Sequence, residues 1–330
     1  MAHHCILPDF SLIWLLTIWD YYWQTGSTEP LETHEETIDG ILRYFRDFTH
    51  SKTGLAQYDS RYWLFLDWTE IQREGCPSVL SLWLLIALDK LAQLYAVRKN
   101  HARHFEMRRW GTQLRASLER LVTLDGLICD GYDGRGKLVS ATSPHSQTLA
   151  LSAGLHPASN GRMLRYLLSG VAENGSFEKA QPSAYWITYI FSVLQRHGYG
   201  STVVEHISRN WESMVSHGTT WENFHPRRGD ESFSHAWSAH PLYHLTQTIG
   251  GITQSAPAWK KITFNPVFYG DNCRASVPTP NGPIYMEWEK ASRRINVSLL
   301  LPKGTTANVR LPGFRNKIYA GENRWKVTGA

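Results

Sequence analysis

Long blocks of like charge, closely spaced cysteines and a bilayer-length apolar run are all missing from this sequence. Basic residues barely outnumber acidic ones, 34 against 29, and they fall in scattered pairs such as Arg108-Arg109, Arg227-Arg228 and Arg293-Arg294. Such pairs solvate a surface without forming the contiguous basic face a nucleic acid needs, so no nucleic-acid partner is expected. Cys5, Cys76, Cys129 and Cys273 lie far apart with no CxxC. That excludes a zinc knuckle or dithiol redox motif and suits a reducing compartment. The most apolar run, residues 10–23, carries Asp20 and falls short of the ~20 residues that span a bilayer, so it reads as a buried helix with no membrane partner. The opening MAHHC has no Lys or Arg and no small-residue cleavage site follows; no leader is expected, and a cytoplasmic setting is favoured. GxSxG is absent, and the glycine-rich stretch 125–137 (DGLICDGYDGRGK) lacks a preceding strand and the P-loop lysine. No cofactor is suggested.

What the chain does have is apolar and aromatic mass. Hydrophobic residues make up 42% of the 330, enough to bury a large domain and a smaller one. Fourteen Trp, 15 Tyr and 12 Phe exceed ordinary needs. Core packing accounts for part of this, and a sugar-binding cleft would account for the excess, because pyranose rings lie flat on indole faces.

Helical periodicity runs through the first three quarters, near 9–25, 31–49, 77–99, 101–123, 144–153, 158–173, 182–197, 201–215 and 233–250. Asp9 or Ser11 can cap the first segment and Gly26 can stop it. Between the second and third lies an aromatic, turn-rich stretch, residues 54–77, with the look of a loop crossing a functional face. Past about residue 255 the period drops to two in six or seven short runs, with Pro280-Asn281-Gly282 as a hairpin signal. The expected architecture is mainly α: helical hairpins over 1–254, then a β-sandwich over 255–330. About nine helices is an odd number for a fold made of hairpins.

Three stretches could carry chemistry. In GTTWENF, 218–224, Glu222 follows Trp221 in a polar turn. Pattern alone favours an exposed loop glutamate or a helix cap, with a water-activating base as the sharper reading. In SFSHAWSAHP, 232–241, His235 and His240 stand at i, i+5, on different helix faces, which disfavours zinc; a structural histidine near a helix start is the bland alternative. In WLFLDW, 63–68, Asp67 sits among apolar residues and must be hydrogen-bonded or face a cleft. Trp68 beside it offers a stacking face. Trp14, at helical spacing from Trp19 and Trp23, is by default a core residue.

Taken in order, PDFSLIW, YYWQTG, WLFLDW, HSQTLAL, GTTWENF and SFSHAWSAHP resemble the catalytic domain of bacterial α-L-rhamnosidases of glycoside hydrolase family 78. TPNGPIYMEWE and LPKGTTANVRLP look like the family's C-terminal β-sandwich. The resemblance implies an (α/α)6 toroid of six helical hairpins and inverting release of terminal α-L-rhamnose from a glycoside or oligosaccharide, with no metal. It makes Glu222 the general base and His235 a sugar contact. Trp14 and Trp68 would wall the rhamnose pocket, with Asp67 and Trp221 alongside. The family's acid glutamate, however, belongs to an upstream motif ending in Trp-x-Gly-Asp that has no copy here; TEIQREG, 69–75, occupies a different loop. The first hairpins and the acid are thus expected on an upstream polypeptide, and the isolated chain is expected to hydrolyse little. The alternatives are an enzyme recruiting Asp67 or Glu70, a non-catalytic carbohydrate-binding relative, or another (α/α)6 glycosidase such as a fucosidase or glucosidase.

Overall fold

The computed structural model describes residues 6–226, 229 and 231–328, so Cys5, Arg227, Arg228 and Asp230 lie outside the described residues. The chain divides into two compact units that do not follow chain order. The first comprises the chain to Trp19, Thr28–Leu194 and Glu222–Glu231; the second comprises Asp20–Ser27, Gln195–Trp221 and the chain from Ser232.

Helix follows helix as the periodicity predicts. α1 (Pro8–Thr25) buries Leu12, Leu15 and Ile18 along one stripe and ends at Gly26, whose φ of +81° lets its N–H return to Tyr22 O at 2.7 Å. The single helix expected over 31–49 is two, α2 (Glu29–Thr33) and α3 (Glu35–Asp47), because His34 leaves helical geometry at φ −114°, ψ 22°. α3 then buries Ile38, Leu42 and Phe45 on one face. After the long loop come α4 (Ser78–Val97) and α5 (His101–Glu119), which pack together. α4 is apolar and long enough to cross a membrane, but 72% of its most apolar window is buried inside the protein, where α5 and α6 cover it. A two-residue antiparallel ladder joins β1 (Cys76–Pro77) to β2 (Gly131–Tyr132) at the foot of α4.

α6 (Pro144–Ala153) is buried from Pro144 to Leu151, although His145, Ser146, Gln147 and Thr148 are polar. Its polar atoms are met locally. Asp130 Oδ1 accepts Ser143 N–H at 3.0 Å and the Ser143 and Ser146 hydroxyls at 2.7 and 2.6 Å, while Gln147 exchanges two bonds with the backbone of Ile128. α7 (Asn160–Val171) packs on α6, and α8 (Ile187–Arg196) follows. α8 starts five residues later than expected from 182–197, the Ser183 N–H being bonded to the Asp67 carboxylate at 3.0 Å.

Within the second unit, the helix expected over 201–215 breaks at Trp211 into α9 (Gly200–Asn210) and α10 (Glu212–His217). Trp211 is buried and donates its indole N–H to Ser238 O at 2.9 Å, a bond that fixes the ring at the break. The helix expected over 233–250 forms only as α11 (Pro241–Thr248). Residues 233–238 bond sideways to another loop, and Pro241 has no N–H with which to continue a ladder from upstream. Eleven helices are thus present among the described residues, against nine expected.

The period-two region builds a two-sheet sandwich. One sheet runs β10 (Gly321–Thr328), β7 (Arg294–Leu301), β6 (Ile284–Ala291), β5 (Asn272–Val277), all antiparallel. The other runs β3 (Ile252–Gln254), β4 (Lys261–Phe264), β8 (Thr306–Leu311), β9 (Phe314–Ile318), with β4 and β8 parallel. The eight strands exceed the six or seven expected by the short β3 and the terminal β10. Alternate residues point inward, so Met286 and Trp288 stand opposite Leu299 and Val297 across the β6–β7 ladder, in one core with Ile284, Ile295, Ile262, Phe264 and Val309. Trp288 is fully buried and its indole N–H reaches Ile249 O at 2.9 Å.

Candidate active site

In the first unit, a loop between α3 and α4 carries Trp63, Asp67 and Trp68. Its shape is set by three buried or half-buried charged groups. Arg73 threads its guanidinium among backbone carbonyls, donating to Leu64, Phe65, Asp67, Thr69 and Ile71 over 2.6–3.2 Å. Five carbonyls converging on one planar cation make a rigid core for a segment with no ladder of its own. Burial pushes the Arg73 guanidinium below its ordinary value, opposed by Asp67 and Asp9 nearby. Asp9, 1% exposed at the start of α1, accepts Leu66 N–H at 3.0 Å. Burial raises the Asp9 carboxyl above its ordinary value, against several backbone N–H bonds that lower it. Leu66 itself is held at φ +56°, an uncommon and costly conformation for a branched side chain.

Asp67 is the third. Its Oδ1 accepts Trp68 N–H at 2.7 Å, and its Oδ2 accepts Ser183 N–H at 3.0 Å and pairs with His145 Nε2 at 2.7 Å. The His145 ring lies 4.1 Å from that of Trp186. Of the two options for a carboxylate among apolar residues, the structure takes the hydrogen-bonded one. With no exposed side-chain surface, Asp67 shapes the loop through these bonds. Glu70 is exposed. Trp68 is 46% exposed and packs edge-on against buried Phe65. Trp14, half-buried on α1, meets the His34 ring edge-on at 5.6 Å.

The second unit contains the loop that ends at Trp221. Gly218, at φ +86°, closes α10 and turns the chain. Residues 219–221 then pair with 233–238: Thr219 Oγ1 donates to Phe233 O, His235 N–H to Thr220 O at 2.7 Å, Thr220 Oγ1 to His235 O at 2.8 Å, and Ser238 Oγ to Trp221 O at 2.5 Å. This clasp joins the two motifs that the sequence singled out. His235 is half-buried, ahead of a 3-10 turn (Ala236–Ser238) and not inside a helix as expected. The Trp221 ring sits between Phe233 at 5.3 Å and His217 at 5.4 Å. Glu222, the next residue in the chain, is half-buried.

Residue patterns missed Asp9, Arg73 and His145. Arg73 carried no signal beyond a charge near aromatic residues, and Asp9 was read only as a cap for the first helix, whereas its carboxylate bonds Leu66 N–H in the loop. His145 lies in a stretch whose polar letters, HSQT, on a buried helix were the one available clue. Among the described residues, no group of three or more His, Cys, Asp or Glu is arranged to hold a metal ion. Cys76 and Cys129 are buried, and burial raises both thiols, which keeps them unreactive.

Residues 8–249 match the family described as bacterial alpha-L-rhamnosidase 6 hairpin glycosidase domain, and residues 251–326 match the bacterial alpha-L-rhamnosidase C-terminal domain. Similar solved structures include the family 78 rhamnosidase of Bacillus sp. GL1, with a TM-score of 0.81 at 20% identity, covering 93% of this chain and 33% of that one. The α-L-rhamnosidase of Dictyoglumus thermophilum gives 0.79 at 16%, covering 98% and 40%. That of Streptomyces avermitilis, solved with L-rhamnose, gives 0.72 at 18%, covering 94% and 32%. The chain therefore spans about a third of the length of these relatives, and the likeness is one of fold. No curated protein sequence matches the chain.

Proposed function

The chain belongs to the bacterial α-L-rhamnosidase family, and on that premise we propose that it binds terminal α-L-rhamnosides and supplies the water-activating base, Glu222, for their hydrolysis. The observation that carries this reading is the clasp between 219–221 and 233–238, in which the backbone of the loop bearing His235 holds Thr219 and Thr220 and the Ser238 hydroxyl holds the carbonyl of Trp221, the residue before Glu222. A base must be held to a narrow geometry to deprotonate water in the transition state. A loop pinned in this way suits that demand better than a free surface turn.

In this reading hydrolysis proceeds with inversion. Glu222 takes a proton from water as the oxygen attacks the anomeric carbon, while a carboxylic acid roughly 6.5–9.5 Å away protonates the departing oxygen on the other face. That acid is proposed to come from a carboxyl outside these 330 residues. His235, Trp14, Trp68 and Trp221 are proposed as sugar contacts on the resemblance to the family alone. Asp67 acts on substrate only through Trp68, whose backbone N–H it holds.

The test is hydrolysis of p-nitrophenyl α-L-rhamnoside by the purified chain and by Glu222→Gln, with rhamnose binding followed by thermal shift. This leaving group scarcely needs an acid, so the assay isolates the base. The expected result is a loss of about 10²–10⁴-fold in Glu222→Gln with rhamnose binding retained. Equal rates in the two proteins would overturn the assignment of Glu222. A melting temperature raised by fucose or glucose but not by rhamnose would overturn the substrate.

A further inference from the structure

All fourteen tryptophans lie among the described residues, yet only two are more than two-fifths exposed: Trp63 at 42% and Trp68 at 46%. They are also neighbours. Their ring centroids are 5.9 Å apart, and both rest edge-on against the same buried ring, Phe65, at 5.5 and 4.9 Å. Phe65 is anchored in turn by Phe10 and Tyr185 at 6.0 and 6.1 Å. Indole is a costly group to leave in water, and two side by side on one foundation make an apolar patch suited to a ligand.

We propose that Trp63 is a second sugar-stacking face, which binds the pyranose ring to which a terminal rhamnose is attached. The proposal rests on the rhamnoside reading of Trp68. The two indole planes are inclined at 53°, so they cannot sandwich one flat aromatic group, which needs nearly parallel faces. Consecutive sugar rings joined through a single oxygen do present tilted faces at about this spacing, one for each indole. The platform is also preorganised. Arg73 gathers the carbonyls of Leu64, Phe65 and Asp67, Asp9 holds Leu66 N–H, and Asp67 holds Trp68 N–H, so little ordering remains to be done on binding. Exposed Glu70, two residues beyond Trp68, offers an acceptor for ring hydroxyls.

The experiment is calorimetric titration of the full chain, Trp63→Ala, Trp63→Phe and Trp68→Ala with L-rhamnose, with α-L-rhamnosyl-(1→6)-glucose and with phenyl α-L-rhamnoside. The wild-type chain is expected to bind the disaccharide more tightly than rhamnose. Trp63→Ala should lose that gain, about 3–10-fold, with rhamnose affinity unchanged within about twofold, and Trp63→Phe should recover part of it. Trp68→Ala should weaken all three ligands. Equal losses for rhamnose and disaccharide in Trp63→Ala, or no advantage of the disaccharide in the wild type, would overturn the second face alone. A gain for the phenyl glycoside matching that of the disaccharide would overturn the choice of a pyranose. Failure of the wild type to bind any of the three would overturn the rhamnoside reading beneath it.

Discussion

His145 Nε2 and Asp67 Oδ2 stand 2.7 Å apart, and neither side chain has any exposed surface. The same oxygen accepts Ser183 N–H at 3.0 Å. A buried carboxylate is tolerable because each of its oxygens has a donor. The pair ties the loop of Trp68 to α6, 78 residues onward in the chain.

Removing the carboxylate should therefore expose the cost of burying its donors. Asp67→Ala leaves His145 Nε2, Ser183 N–H and Trp68 N–H short of an acceptor, and the expected destabilisation is about 2–4 kcal/mol. Asp67→Asn keeps one acceptor oxygen and should fall between the two. Urea unfolding followed by tryptophan fluorescence measures it; an Asp67→Ala midpoint equal to that of the wild type would show that the bonds contribute nothing.

Gly131 allows a close approach that no other residue can make. Its φ is +115°, and a Cβ there would lie 2.1 Å from Cys76 O, inside the β1–β2 ladder. Gly131→Ala is expected to cost at least about 2 kcal/mol, because both the backbone angle and the ladder must give way. Circular-dichroism melting reads the result, and an unchanged melting temperature would rule out the strain.

His244, fully buried on α11, should make stability depend on acid. Burial, helped by neighbouring His240, pushes its imidazole down from 6.5 to about 3. The unfolded chain then takes up a proton near pH 6.5 that the folded chain refuses until about pH 3. The stability due to neutral His244 is complete above pH 6.5 and is lost as pH falls through that window, by about 1.4 kcal/mol per unit. Urea unfolding at pH 7.5, 5.5 and 4.0 should show a shallower pH slope in His244→Gln, by close to one proton. Parallel slopes would mean that other groups carry the acid sensitivity.

Much of this molecule was legible because local pattern encodes which face of an element is buried. The 3.6-residue stripe of α3 and the alternation of β6 and β7 could be read directly, and the Pro280-Asn281-Gly282 turn falls between β5 and β6 as expected. Where helices ended was less legible. Trp211 breaks α9 from α10 with its indole N–H bonded to Ser238 O, and residues 233–238 forgo helix for a clasp with 219–221. Both outcomes depend on partners more than ten residues away, which no periodicity records.

By itself the sequence determined the succession of helical hairpins and β-sandwich, and the ordered motifs that mark the family. Those properties follow from short-range spacing and from residue identity alone. Tertiary structure decided what each charged group does. Asp67, a candidate for the sugar's company, is buried under His145 and Ser183; Arg73, unremarked in the sequence, holds five carbonyls; and Trp63 shares the exposure of Trp68 because both stand on Phe65. A side chain's chemistry is set by burial and by its partners, and for these residues the partners come from distant turns of the chain.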